Sequence, residues 1–181
     1  MRLLLLLSFV LAGVLFRWIP HPPNFTPLLA MSLFAGVHFH SRTQALAFPL
    51  LAIWISDLWL GFYPGMWAVY LSYALIVVLG IWMPQGATGR VKGAVGLAGG
   101  LTLSAFLFFF ISNLGVWATG ILYPRSLEGL WTCYVMAVPF FPATLYSTWL
   151  YGLVLFGGWA LLGRWQPQLV LAPALSRHSR N

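Results

Sequence analysis

The chain has 181 residues, 61% of them hydrophobic and 6% charged, with a mean hydropathy of +0.88. Soluble domains carry about 25% charged residues, so a soluble core is excluded and an all-α integral membrane protein is expected. The net charge is +7, but the nine Lys and Arg residues are scattered singly, with no basic cluster interleaved with aromatics, which excludes nucleic acid as a partner.

Apolar runs over residues 3–18, 28–37, 45–55, 66–83, 95–111 and 145–162 predict six crossings of the lipid bilayer. Several are shorter than the roughly 20 residues of a perpendicular span, so these helices extend into loops or are shielded by neighbours. The first begins "MRLLLLLSFVLAG", which imitates a secretory signal with a basic residue, a leucine core and the small residues Ala12 and Gly13. Val14, Leu15 and Phe16 continue the apolar run, and a retained helix is expected.

"RWIPHPPNFTP" follows. Two readings of it stay open. Its prolines make a stiff connector that holds His21 and Asn24 as binding groups, or they mark a helix boundary, with Pro27 in a first turn and Thr26 as its cap. The second run ends in "HFH", where the alternate spacing of His38 and His40, next to Arg42, reads as a polar boundary rather than a metal site.

Asp57, one of two acidic residues, lies near the end of the third segment. An aspartate at mid-membrane costs about 2.5–3.5 kcal/mol, so a partner is expected; Arg17 and Arg125 are the candidates, and a structural ion pair and a ligand contact are both open. In the fifth run Gly96 and Gly100, like Ser8 and Ala12 in the first, have the four-residue spacing of close helix packing. The region 112–142 is too long and apolar for an idle loop. Gly115, Gly120 and Gly129, with Pro124 and Pro139, are expected to break any continuous helix there and leave a re-entrant cap that moves as a lid over a cavity. Its Cys133, the one cysteine, excludes an intrachain disulfide and is either inert and buried or a soft metal ligand.

Charge sets the expected topology. With the amino terminus cytoplasmic, Arg2, Arg42, Arg90, Lys92, Arg164, Arg177 and Arg180 fall inside, and only Arg17 and Arg125 outside. One membrane domain, 1–163, then precedes a cytoplasmic tail, 164–181, with both termini inside. The outer face collects His21, Asn24, Asp57, Tyr63, Asn113, Trp117, Tyr123, Arg125, Trp131 and Tyr134 as ligand-binding candidates, with aromatic rings suited either to stacking or to the headgroup level. No HExxH, GxSxG or phosphate loop occurs. No catalytic residue or resident cofactor is expected, and transport would need a partner, a gradient or downstream trapping.

"PHPPNFTPLLAMSLFAGVHF", "PLLAIWISDLWLGFY", "SNLGVWATGILYP" and "LWTCYVMAVPFFPATL" resemble a family of small uncharacterised bacterial membrane proteins, over residues 20–157. More distantly, the layout resembles the S components of energy-coupling factor vitamin transporters. That resemblance implies a six-helix bundle in the bacterial inner membrane, both termini cytoplasmic, and an outward pocket closed by the loops after the first, third and fifth helices. It implies uptake of a vitamin or precursor, with an energising transmembrane partner and ATPases; Cys133 becomes a metal ligand only if the ligand is a corrinoid of the cobalamin type. The competing expectation is a structural scaffold subunit of the cell-shape or cell-envelope machinery, whose small membrane subunits resemble S components in fold. A third is an intramembrane enzyme using Asp57, His21 or Cys133.

Overall fold

A computed structural model describes residues 2–39, 41–83 and 90–165, and every regular element among them is helical. The elements are α1 (Arg2–Trp18), α2 (Leu28–His38), α3 (Arg42–Leu60), α4 (Met66–Trp82), α5 (Arg90–Thr119), α6 (Leu127–Ala137), a 3₁₀ turn (Val138–Phe140) and α7 (Phe141–Trp165). Three stretches, Arg42–Leu60, Gly93–Thr119 and Leu127–Trp165, are long and apolar enough to cross a membrane. The chain is a membrane protein. Exposed tryptophans mark both ends of its helices, Trp59 and Trp131 at one and Trp82 and Trp165 at the other, as the polar edges of the ring favour at headgroup level.

The centre is α2. Its residues 28–36 are buried without exception, because α3, α4, α5 and α7 all pack against it. A helix apolar all round has no solvent or lipid face to keep. Eleven residues rise only about 16 Å, about half the bilayer's hydrocarbon thickness, so this span is short because its neighbours shield it. The crossing with α4 is closest at Gly36 and Gly80: a Cβ on Gly36 would fall against the Val77 carbonyl and 2.9 Å from the Gly80 Cα. Of the expected pair in α5, Gly100 packs closely, a Cβ there falling 2.8 Å from the Met83 sulfur, while Gly96 faces open space.

Two expectations about residues 112–142 are corrected. α5 does not stop near residue 111 but runs through Gly115 to Thr119. Gly115 is the point where α5 meets the start of α4: its missing Cβ leaves room for the Ala68 side chain and the Gly65 carbonyl. Nor is the segment beyond it an irregular lid. Only residues 120–126 lack regular structure, and α6 follows, capped by the Ser126 hydroxyl, which accepts from the Gly129 N–H at 3.1 Å. α6, the 3₁₀ turn and α7 run back along α5 as one path: Tyr134 bonds the Phe110 carbonyl at 2.8 Å, Phe141 stacks near Phe106, and Trp149 Nε1 donates to Thr102 at 3.3 Å. Pro139 and Pro142 sit at the join, where rings without an N–H interrupt the helical ladder.

Of the basic residues expected on the opposite end, Arg42 and Arg164 begin α3 and close α7. Arg177, Arg180 and the side chains of Arg2, Arg90 and Lys92 lie outside the described residues, as do His40 and nearly all of the tail from 164 onward.

Candidate functional site

Asp57 explains the end of the bundle that carries the α1–α2, α3–α4 and α5–α6 connections. It sits one turn before the end of α3 and is 1% exposed. Arg17, in the last turn of α1, reaches it because α1 packs on α3 with both carboxyl-terminal ends on the same side. Arg17 Nη1 donates to Asp57 Oδ1 at 2.5 Å, to Ser56 Oγ at 2.5 Å and to the Ile53 carbonyl at 3.3 Å. The Tyr70 hydroxyl donates to Asp57 Oδ2 at 2.8 Å. Each carboxylate oxygen thus has a donor, which is what keeps a buried acid tolerable. Arg125, the other candidate partner, instead donates to the Thr119 carbonyl at 3.2 Å.

The connector of residues 19–27 is a folded turn. Phe25 N–H bonds the Pro22 carbonyl at 3.0 Å, His21 Nδ1 lies 2.8 Å from the same carbonyl, and Asn24 takes a left-handed φ of 63°, a conformation asparagine adopts more readily than most residues. The Asn24 carbonyl accepts from Ser147 on α7 at 3.3 Å, which ties the turn to the bundle. Thr26 is not the helix cap: Pro27 holds that position, and no side chain caps α2.

Above Leu29 and Val69 these elements enclose a cavity of about 350 Å³. Arg17, His21, Asn24, Tyr63 and Asn113 supply polar groups, and Tyr73, Phe108, Phe109 and Phe140 supply rings. Its rim at His21, Asn24 and Tyr63 is exposed, while Tyr73, Phe108 and Thr144 in its depth are buried. Local burial, ahead of the neighbouring Asp57 carboxylate, pushes the Tyr63 phenol up, so the cavity meets it as a neutral donor. Asn113 Nδ2 donates to the Phe109 carbonyl at 2.7 Å, which leaves its oxygen and its second N–H for a ligand.

Four of the expected site residues, His21, Asn24, Tyr63 and Asn113, therefore share one cavity. Asp57 lies behind Arg17 rather than on the wall. Tyr123 and Cys133 line a smaller hollow of about 120 Å³ that shares Asn113 and Phe140 with the first. Cys133 is buried, its Sγ 3.4 Å from the Asn113 carbonyl, and no group of three metal-ligating side chains occurs among the described residues. Trp117 Nε1 bonds the Pro124 and Ser126 carbonyls at 3.1 and 3.2 Å; with Arg125 it pins the 120–126 loop. Tyr134 braces α6 on α5, and Trp131 is 73% exposed.

The cavity residues outside the expected connectors and the 112–142 region are Arg17 as a wall residue, Leu29, Val69, Tyr73, Phe108, Phe109 and Thr144. For Tyr73 a signal existed: with Tyr70, which reaches Asp57, it is three residues along one face of α4, a helix with few polar residues.

A family model described as a family of unknown function, DUF6580, matches residues 1–170. The chain belongs to this family. No curated protein and no solved structure matches it. Since the family match spans α1 to α7, the cavity and the Arg17–Asp57 pair both fall inside the family's own extent.

Proposed function

We propose that this family member is a small-molecule-binding protein of S-component type, crossing the bacterial inner membrane six times with both termini cytoplasmic. It takes a vitamin or related precursor from the outer side and delivers it inward with an energising membrane partner. It performs no catalysis. The observation that carries this reading is the cavity of about 350 Å³, built where the α1–α2 and α3–α4 connections meet α5 and the start of α7, and lined by convergent polar groups and rings, the composition of a ligand site. The volume is near the small end of the roughly 300–1,000 Å³ of such sites. It suits a one- or two-ring molecule.

Native mass spectrometry of gently solubilised protein tests it. A small molecule should accompany the wild-type chain and be retained less by His21→Ala and Asn24→Gly, with melting temperatures unchanged. An empty cavity, together with stable recovery alongside cell-envelope proteins, would overturn the reading in favour of a scaffold.

A further inference from the structure

Resting on that reading of the cavity, we propose that its ligand is a small organic anion with a planar apolar body, the acidic head on Arg17 and the ring among Tyr73, Phe108 and Phe140. Arg17 is on the cavity wall, and no aspartate or glutamate is. The counter-charge, Asp57, is 1% exposed, with one oxygen held by Arg17 and the other by Tyr70. Glu128, the only other acid of the chain, lies in the first turn of α6 and off the wall.

The guanidinium is also only partly used. Among the described residues the bonds that fasten Arg17 all leave from Nη1, so Nε and Nη2 keep donors that a ligand can take. A planar fork of N–H groups fits a carboxylate better than a single carbonyl, and a charge-assisted bond is about twice as strong as a neutral one. α2 and α4 start at the cavity, with Thr26 and Gly65 on its wall, and their amide ends add partial positive charge there. The same wall carries Tyr73, Phe108, Phe109 and Phe140, rings that favour a flat ligand over an extended chain.

Charge-selective labelling reads this directly. Ser112→Cys, on a Cys133→Ala background in lipid nanodiscs, places a thiol on the cavity wall. Its reaction rates with an anionic sulfonatoethyl and a cationic trimethylammonioethyl methanethiosulfonate are each divided by those of 2-mercaptoethanol. The anionic reagent should be favoured by about tenfold, as a charge at the wall only partly offset by Asp57 behind it implies in a partly desolvated site. The preference should persist in Arg17→Lys, which keeps the charge, and vanish in Arg17→Gln/Asp57→Asn, which removes both charges together. Indole-3-acetate should slow labelling, and indole-3-acetamide should not. Equal normalised rates for both reagents would overturn the anion assignment and leave the cavity as a ligand site. No reaction with either, while an Ile121→Cys control in the exposed loop reacts, would overturn the ligand site itself.

Discussion

Asp57 is the buried half of the Arg17–Asp57 ion pair. Asp57→Ala would leave the Arg17 cation partly desolvated without its counter-charge, and such half-broken pairs cost about 3–5 kcal/mol; a clear fall in melting temperature in detergent checks it. Arg17→Gln/Asp57→Asn should melt within a few degrees of wild type, since nothing charged is left unpaired. A second residue-scale expectation concerns Asn24 at φ 63°. Asn24→Ala should lose about 1 kcal/mol from a left-handed backbone that alanine disfavours, whereas Asn24→Gly should keep its stability, and both should bind ligand more weakly. That Asp57 needs a cation was legible from its burial in an apolar run. Which cation was not, because that depends on which helix ends adjoin, and sequence distance is silent on it.

At the scale of elements, the α2–α4 crossing is the most sensitive point. Gly36→Ala should cost about 1–3 kcal/mol, the range for overpacking, because the new methyl meets backbone rather than a side chain able to turn away. Gly96→Ala, with nothing near it, is the matched control and should be near neutral in the same thermal melts. Helix positions were legible from apolar runs, yet helix ends were not. Glycine in a helix loses only about 1 kcal/mol against alanine, while leaving backbone groups unbonded at membrane depth costs several. So α5 continues across Gly115 and α6 forms across Gly129, where residue type alone suggested an irregular lid. Spacing within one helix pointed to Gly96 and Gly100, of which Gly100 does pack closely, but the Gly36–Gly80 contact lies between two helices and leaves no spacing to read.

For the molecule as a whole, the proposed topology predicts accessibility. Cysteines at His21 and Tyr63, on a Cys133→Ala background, should react with an impermeant maleimide in intact cells, and one at Arg42 only after lysis; the reverse pattern would invert the orientation. The four cavity residues could be grouped in advance because charge bias put their loops on one face. The buried floor of Tyr73, Phe108 and Thr144 could not, since an apolar helix does not announce which stripe looks inward. The sealed position of α2 has a consequence for biogenesis. An 11-residue helix too short to span lipid, and with no lipid-facing side when finished, has no stable station in the bilayer during synthesis until its wrapping is made. α3 comes next off the ribosome, but α7, one of its walls, comes last. A chain truncated after α4 should therefore hold α2 loosely, and protease should cut at the connector of residues 19–27, which in the complete protein is fastened to α7 through Ser147.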